Sequence, residues 1–440
     1  MSSRNRELLA LIPASLLVSL GFAAVFIQRD EFVGAQGTNR LTTASLTYGG
    51  IFLGLCLVVH LFLRWRLPNA DPYLFPLVAT LACFGLVFIY RIDQDLAADQ
   101  AKWFFVGIVA FIATILVLRD YRVLERYRYV IALVSLLLLM MPLLPGIGQT
   151  TNGANLSVQI GSITFQPGEF AKIGIIIFVA SYLRDTRELL SRGGRQVLGI
   201  SVPPLRALAP LLLVFGAAMM LLLVIRDLGT SLMFFGGFLA VLYVATNRLA
   251  YPIIGFALFG LGAWFIGSHT AHVKDRIEAW HDPFGKLYDL PGGSYQLAQS
   301  MFAQADGGLF GTGIGQALLK NPTDGTTILP APQTDLIYSV ITNELGLAGA
   351  CGLLVVYLLF AERGFKTSIL ARDSFSKLLA AGLTAVFALQ VFVIVGGVTK
   401  TIPLTGVTLP FVSYGGSSIV ANFVLLALLL MVSDRSRRPA

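Results

Sequence analysis

The stretch APQTDLIYSVITNELGLAGACGLLVVYLLFA, residues 331–361, decides the class of this protein. It is apolar over a length that can cross the roughly 30 Å hydrocarbon core of a bilayer, for which about 20 residues suffice. It nevertheless carries Asp335 near its N-terminal end and Glu344 further along, although burying a carboxylate in the bilayer costs free energy. The stretch therefore predicts a membrane helix whose two acids need an explanation.

The rest of the chain has the same apolar character. Hydrophobic residues make up 56% of its 440 residues and charged residues 13%, whereas about 45–50% and about 25% are usual in soluble domains. The mean hydropathy is +0.76. We predict an all-α polytopic membrane protein with about twelve transmembrane helices. The predicted spans lie near residues 8–27, 46–64, 72–90, 99–118, 126–144, 168–185, 207–225, 229–246, 250–267, 335–361, 378–399 and 415–433.

The distribution of basic residues predicts the orientation. An even number of spans places both termini on one side, and most of the 32 Lys and Arg residues fall in inner segments if that side is cytoplasmic. The net charge of +8 therefore indicates topology and affinity for anionic membrane lipids. No basic block interleaves with aromatic residues, so we expect no nucleic acid partner.

Two outer segments are more than short turns. Residues 268–334 are too polar to span the membrane, and a loop of this length is usually functional. Within it, residues 295–305 show helical apolar spacing and predict a short amphipathic helix at the outer interface. Its predicted polar face includes Gln296, Gln299 and Ser300. Alternating apolar residues in 145–167 predict a small hairpin.

Two charged clusters open predicted spans on the outer side. In QPGEFAKIG, residues 166–174, Glu169 and Lys172 lie three apart and share one helical face. They are either a self-neutralising ion pair or part of a polar cavity. In IRDLGTS, Asp227 is either the N-cap of the following helix or a member of the same cavity.

The opening stretch leaves similar alternatives. Asp335 is either the N-cap of its helix or a functional carboxylate. Glu344 follows nine residues later, about 13.5 Å deeper along a continuous helix and on its opposite side. We expect Glu344 to form a hydrogen bond or ion pair inside the bundle.

The segment TKTIPLTGVTLPFVSYGGSS, residues 399–418, leads into the last span. Its serines and glycines suit close helix packing, and they equally suit hydrogen bonds to a sugar or phosphate. Lys400, Ser413 and Tyr414 are its candidate binding residues. Together, the charges of the outer third predict a cavity for a ligand with an anionic head and a lipid tail. The four histidines lie apart from these charges, so neither zinc chemistry nor a Ser-His-Asp triad is indicated.

Five motifs in order across residues 166–418 resemble the SEDS (shape, elongation, division and sporulation) family of RodA/FtsW type. They are QPGEFAK, DLGTS, SYQLAQS followed by GGLFGTGIG, LPAPQTDLIYSVITNELGLAG, and PLTGVTLPFVSYGGSS. The resemblance implies a ten-span glycosyltransferase core, residues 71–440 with outer loop 268–334. Residues 1–70 would then be an accessory transmembrane pair, as in the longer actinobacterial-type RodA branch.

The resemblance also implies a function. Members of the family polymerise lipid II into glycan strands at the outer face of the bacterial plasma membrane, together with a class B penicillin-binding protein, a monofunctional transpeptidase. Asp335 falls on the essential aspartate of the family motif, and Glu169 and Lys172 fall on its Glu and Lys. Gln333 stands where the family has a histidine.

Glycan growth requires a sugar hydroxyl to attack an anomeric carbon while a lipid pyrophosphate leaves. We expect Asp335 to be the general base, or the ligand of a divalent cation such as Mg or Mn. That cation, Lys172 or Lys400 would neutralise the leaving group. The residues expected to contact substrate are Glu169, Lys172, Asp227, Gln296, Gln299, Ser300, Lys400, Ser413 and Tyr414.

Two other functions use the same residues differently. In a lipid II flippase, polar residues would line a path to the cytoplasmic side, and Glu344 is the acid best placed for it. In a non-catalytic scaffold for the penicillin-binding protein, Asp335, Glu169 and Lys172 would be dispensable caps and ion pairs.

Overall fold

The structure is a computed structural model that describes residues 3–33, 38–151, 154–161, 163–192, 195–197, 200–202, 205–269, 271–290, 293–321 and 325–438. Its helices are α1 Ser3–Val33, α2 Thr38–Arg66, α3 Leu74–Ile92, α4 Gln94–Leu118, α5 Val123–Arg126, α6 Arg128–Met140, α7 Pro167–Arg192, α8 Leu205–Ile225, α9 Leu228–Thr246, α10 Ala250–His269, α11 Ala271–His281, α12 Tyr295–Gly307, α13 Ile337–Leu370, α14 Ser374–Val398 and α15 Gly416–Ser436. Its strands are β1 Gly148–Thr151, β2 Ala154–Ile160, β3 Ile163–Phe165, β4 Arg195–Val197 and β5 Ile200–Val202.

The fold is the predicted bundle of apolar helices. Each of the twelve predicted spans coincides with a helix. Within the described residues, eight helices are long and apolar enough to cross a membrane, and three shorter apolar helices lie in α6, α8 and α10. The remaining predicted span is α7, which carries several charged side chains along its 26 residues. The all-α polytopic class is confirmed, and twelve as the number of spans stays a prediction.

Two C-terminal helices form the centre of the bundle. Helix α15 packs along α4, and α14 lies between α9 and α13. Most side chains of α14 and α15 are buried. Helices α1, α2, α4, α6, α8 and α10 expose many large apolar side chains. This is the arrangement expected where peripheral helices face hydrocarbon.

Aspartate side chains cap the N-termini of three helices in the described part of the chain. Asp93 accepts hydrogen bonds from the backbone N–H groups of Asp95 (2.8 Å) and Leu96 (3.1 Å) at the start of α4. Asp373 caps α14 by accepting from Ser376 N at 2.9 Å, and Asp227 caps α9. Each cap satisfies a backbone donor that the first helical turn leaves free.

The loops gather on two sides of the bundle. On one side Gln166 N donates to Ser417 Oγ at 2.9 Å, so the start of α7 meets the start of α15. We call it the outer side, following the predicted topology. On the opposite, inner side, Asn69 N donates to Asp434 Oδ1 at 2.9 Å. Contacts of this kind tie distant loops together on each side.

The hairpin and the short helix predicted in the two outer segments are both present, but the predicted faces of the helix need correction. Between residues 145 and 167, strands β1, β2 and β3 form a three-stranded antiparallel sheet, which contains the predicted hairpin. The predicted amphipathic helix is α12, but Phe302 of its predicted apolar face is 46% exposed and Ser300 of its polar face is fully buried. The difference arises because α12 packs against α13 instead of lying on a lipid surface.

Helix α13 is interrupted at Gly346, where φ is 68° and ψ is −173°. The loop that follows α12 fills the interruption. The N–H groups of Thr312 and Gly313 donate to the carbonyls of Asn343 (2.9 Å) and Glu344 (3.1 Å), and Leu347 N donates to the Gly308 carbonyl at 2.9 Å. Backbone groups released by the break are thereby satisfied, as an apolar environment demands.

Candidate functional site

Asp335 lies in the turn that precedes α13. The residue at the N-cap position of α13 is Leu336, and the helix start has no side-chain cap. The interpretation of Asp335 as the N-cap of α13 is therefore wrong. The half-buried Asp335 carboxylate accepts no hydrogen bond and forms no ion pair with any residue that the structure describes. An acid kept in this state does not serve the stability of the helix.

The backbone on either side of Asp335 is fixed by the segment that leads into α15. Tyr414 N donates to the Gln333 carbonyl at 2.8 Å, and the Ser413 hydroxyl donates to the Thr334 carbonyl at 2.7 Å. Gly406, with φ of 70°, approaches the carboxylate so closely that a Cβ there would lie 3.3 Å from Asp335 Oδ2. The carboxylate is thus held by its backbone while its oxygens stay free.

Burial sets the protonation of Asp335. It raises the pKa of Asp335 to about 6, and the positive charge of Arg276 opposes this rise. An ordinary aspartate has a pKa near 4. A carboxylate with a pKa of about 6 is ionised at neutral pH and is basic enough to accept a proton from a reacting hydroxyl.

Arg276, on α11, is a site residue that the sequence analysis missed. Its guanidinium donates to the Leu404 carbonyl at 3.4 Å. Its charge acts on Asp335 and Asp227, and burial lowers the pKa of Arg276 itself. The available signal was the spacing of Val273, Ile277 and Trp280, which marks a helix inside the long outer loop.

Asp227 has the structural role that was one of its two interpretations. Its carboxylate accepts a hydrogen bond from Thr230 N at 2.9 Å and caps α9. Burial raises the pKa of Asp227; the nearby Glu169 adds to this rise and Arg276 opposes it. The cap is confirmed, and contact of Asp227 with substrate stays a prediction.

Glu169 and Lys172 form the predicted ion pair, with Lys172 Nζ 2.5 Å from Glu169 Oε2. The ammonium also donates to Gln390 Oε1 at 2.7 Å. Gln390 Nε2 in turn donates to the Thr408 carbonyl at 2.9 Å. Lys172 is 2% exposed, so its charge is fully engaged in joining α7 to α14. Gln390 was missed, although a glutamine inside an apolar span was a signal.

Two predicted substrate contacts are occupied by the protein itself. The buried Ser300 hydroxyl lies 2.7 Å from Ser339 Oγ and 3.0 Å from the Val398 carbonyl. The Ser413 hydroxyl, besides its bond to the Thr334 carbonyl, accepts a hydrogen bond from Leu409 N at 2.8 Å. Both hydroxyls hold backbone segments in place, and contact of Ser300 and Ser413 with substrate stays a prediction.

The remaining predicted contacts are more accessible. Gln299 donates to the Tyr288 hydroxyl at 3.0 Å, and Gln296 lines an open cavity of about 460 Å³ beside it. Lys400 is half-buried, and its ammonium forms no ion pair within the described ranges. The Tyr414 ring lies near Asp99 and Lys102 at the start of α4. Substrate contact by these side chains stays a prediction.

Glu344 does form an ion pair, but not at the expected depth. Its Oε1 lies 2.6 Å from Nε of Arg91 in the last turn of α3, on the outer side. The same oxygen accepts a hydrogen bond from Ala317 N at 3.3 Å. Glu344 lies in the first segment of α13, two residues before the interruption at Gly346, so the predicted span is not one continuous helix. This ion pair therefore lies at the outer end of α3 and does not indicate a path through the bundle.

A divalent cation would find one carboxylate at Asp335. Among the described residues, no three His, Cys, Asp or Glu side chains are grouped in a way that could hold a metal ion. Mg²⁺ commonly binds through one or two carboxylates and the phosphates of its substrate. The donor set around Asp335 fits an ion that arrives with a pyrophosphate.

Comparison with known proteins adds independent information. A model of the FtsW, RodA and SpoVE family, described as cell cycle protein, matches residues 72–438. The peptidoglycan glycosyltransferase RodA of Mycobacterium leprae is 41% identical over 435 residues, which cover 96% of this chain and 90% of the relative. RodA of Mycobacterium tuberculosis is 40% identical, covering 99% of this chain and 92% of the relative.

More distant relatives and solved structures agree. Stage V sporulation protein E of Bacillus subtilis is 29% identical, covering 84% of this chain and 98% of the relative. A chain of a peptidoglycan synthase complex that coordinates polymerization and crosslinking matches with a TM-score of 0.66 at 27% identity, covering 84% of this chain and 99% of that one. The rod shape determining protein RodA of Thermus thermophilus matches with a TM-score of 0.59 at 26% identity, covering 86% and 100%.

Proposed function

Because the chain belongs to the FtsW, RodA and SpoVE family of peptidoglycan glycosyltransferases, we propose that it polymerises lipid II with Asp335 as the catalytic carboxylate. Glycosyltransferase activity and the resemblance to the actinobacterial-type RodA branch follow from near full-length similarity to the mycobacterial proteins. The role of Asp335 is supported by one observation above all. It is a half-buried acid with no structural partner among the described residues, and its pKa is about 6.

The reaction joins two lipid-linked sugars. The 4-hydroxyl of the acceptor sugar attacks the anomeric carbon of the donor, a C–O bond forms, and the bond from that carbon to the lipid pyrophosphate breaks. Asp335 takes the hydroxyl proton as the nucleophile attacks. The displacement is direct and inverts the anomeric carbon, so a covalent glycosyl-enzyme would contradict the mechanism.

The leaving pyrophosphate gathers negative charge that must be stabilised. Arg276 and Lys400 are our candidate cations for this among the described residues, since Lys172 is buried and engaged with Glu169 and Gln390. A divalent cation held by Asp335 and the pyrophosphate would supply further stabilisation, and Asp335 would then be its protein ligand. Loss of activity on chelation, with recovery on addition of Mg or Mn, would favour that role over the role of base.

The setting of the reaction is also proposed. Mean hydropathy and the family place the chain in a membrane as a multi-pass protein. The excess of basic residues in the predicted inner segments supports a plasma membrane orientation with both termini cytoplasmic and the site outside. The solved synthase complex supports a class B penicillin-binding protein as partner, so that polymerisation is coupled to crosslinking.

The two alternative functions lose their structural basis. The flippase hypothesis depended on Glu344, which pairs with Arg91 at the outer end of α3. The scaffold hypothesis made Asp335, Glu169 and Lys172 dispensable caps and ion pairs. Glu169 and Lys172 do form an ion pair, but Asp335 caps no helix. The glycosyltransferase hypothesis gives Asp335 a role and requires no path through the bundle at Glu344.

The direct test compares lipid II polymerisation by the purified protein and its cognate penicillin-binding protein with that of Asp335→Asn. Asp93→Asn is the matched control, because it changes an outer-side aspartate whose carboxylate caps a helix, and asparagine retains capping ability. We expect glycan chains to disappear on a gel for Asp335→Asn and to persist for Asp93→Asn. Equal chain formation by both variants would reject the proposal.

A further inference from the structure

The inner side of the bundle contains a second polar cavity, on the opposite side from Asp335. It has a volume of about 390 Å³, and four arginines line it, namely Arg122, Arg372, Arg435 and Arg438. We propose that this cavity binds the phosphate group of an anionic membrane lipid. The proposal concerns binding alone and does not depend on the glycosyltransferase function.

The charges around the cavity do not balance. Arg122 and Arg435 share a single acid, Asp120, at 3.3 and 3.1 Å. Arg438 pairs with Asp434 at 2.8 Å. No carboxylate within the described ranges pairs with Arg372, whose guanidinium donates to the Arg438 carbonyl. One shared acid and one unpaired arginine leave a surplus of positive charge.

The acid that lines the cavity is turned away from a ligand. Asp373 accepts hydrogen bonds from Ser376 N at 2.9 Å and from the Ser376 hydroxyl at 2.7 Å. Both of its oxygens are therefore engaged in capping α14. The arginines retain N–H donors in the planar geometry that matches phosphate oxygens.

The position of the cavity suits a lipid better than a soluble anion. Its walls come from the C-terminal end of α13, the start of α14, the C-terminal end of α15 and the turn after α4. All of these are ends of helices that cross the bundle, so the cavity lies at the level of lipid headgroups. Basic cavities between helices on the cytoplasmic side are typical sites for anionic headgroups.

Three helices connect the arginine-lined cavity with the candidate site around Asp335, so a lipid bound in the cavity would act on both. Helix α13 begins two residues after Asp335, α14 ends two residues before Lys400, and α15 begins directly after the segment that holds the Thr334 carbonyl. A phosphate that neutralises Arg372, Arg435 and Arg438 would hold the inner ends of these helices together. We therefore expect the bound lipid to stabilise the fold of the core.

The test measures lipid binding by the full-length chain in nanodiscs of phosphatidylcholine with or without phosphatidylglycerol. Thermal unfolding reports stabilisation, and native mass spectrometry reports retained lipid. The variant is Arg372→Gln with Arg438→Gln. The matched control is Arg187→Gln with Lys366→Gln, two exposed basic residues on the same side but outside the cavity.

We expect phosphatidylglycerol to raise the melting temperature of the wild type and of the control. The cavity variant should lose about tenfold or more in apparent affinity for this lipid, the size expected for losing one or two charged hydrogen bonds. Arg372→Gln alone leaves every acid paired, so it provides the same comparison if the double variant folds poorly.

Two results would overturn the proposal. Equal losses in the cavity variant and the control would assign lipid binding to general surface charge. Equal stabilisation by inorganic phosphate in discs of phosphatidylcholine alone would assign the cavity to a soluble anion and not to a lipid.

Discussion

The four outer-side carboxylates considered as site residues or bundle contacts, Asp227, Glu169, Glu344 and Asp335, differ in what surrounds them. Asp227 caps a helix, Glu169 pairs with Lys172, and Glu344 pairs with Arg91. Of these four, only Asp335 has no such partner among the described residues. Half-burial without a partner is unfavourable for a carboxylate. This free-energy cost is explained if the Asp335 carboxylate interacts with a group that the substrate supplies.

Arg276 should lower the pKa of Asp335. Its charge lowers the pKa of Asp335 against the effect of burial, so Arg276→Gln should raise that pKa further. A base is active when ionised, and the acid limb of the pH-rate profile should therefore move to higher pH in the variant. Polymerisation measured across pH tests this, with Lys274→Gln, an exposed change on the same helix, as control. An unmoved limb would show that Arg276 does not act on Asp335.

Lys172 should be required mainly for stability. Lys172→Met leaves the Glu169 carboxylate and the Gln390 amide oxygen without their buried partner, which should cost about 3–5 kcal/mol of unfolding free energy. The second change Glu169→Met should restore much of this loss, because it removes the isolated charge. Thermal unfolding checks both variants. A stable Lys172→Met protein that has lost only lipid II binding would instead make Lys172 a substrate ligand.

At the scale of elements, the interruption of α13 depends on Gly346. Its φ of 68° is in the region that favours glycine, and a Cβ there would lie 2.3 Å from Gly311 N and 2.4 Å from the Leu309 carbonyl oxygen. Gly346→Ala should therefore expel the loop after α12 and lower stability by at least about 1–3 kcal/mol. Thermal unfolding and proteolysis of that loop measure the effect.

Gly352→Ala is the matched control, since it lies on the same helix with open space around it. This control should be neutral or slightly stabilising, because alanine favours helix. If both variants behave alike, the interruption does not depend on glycine.

The same helix shows what the sequence could and could not predict. Apolar length identified α13 as a span, and capping chemistry identified Asp227, because both are local properties. The depth predicted for Glu344 assumed one straight span from Asp335 onward, whereas α13 is interrupted at Gly346, two residues after Glu344, and Glu344 pairs with Arg91 at the outer end of α3. Arg276 and Gln390 were missed because their importance arises from partners more than 100 residues away, Leu404 for Arg276 and Lys172 for Gln390.

At the scale of the whole molecule, two polar regions are separated by an apolar bundle. The outer region contains Asp335, Arg276 and the loop after α12, and the inner region contains the arginine cavity. Helices α13, α14 and α15 connect the two regions. The proposed chemistry requires the first region to face the cell exterior and the second to face the cytoplasm.

Cysteine labelling tests this orientation. Cys56, Cys83 and Cys351 are first replaced by serine, and single cysteines are then introduced at Asp306 and Arg187, which are exposed on opposite sides. In intact cells a membrane-impermeant maleimide should label the cysteine at position 306 only. In permeabilised cells it should label the cysteines at both positions. Labelling at position 187 in intact cells would reverse the topology and exclude an external site.

The pH dependence of the initial rate of lipid II polymerisation tests the central role of Asp335 most directly. With a pKa of about 6, the wild-type rate should be half-maximal near that pH and fall about tenfold for each unit below it. Asp335→Asn should be inactive at every pH. A wild-type rate that stays constant through this range, or an active Asp335→Asn variant, would show that Asp335 is not the base.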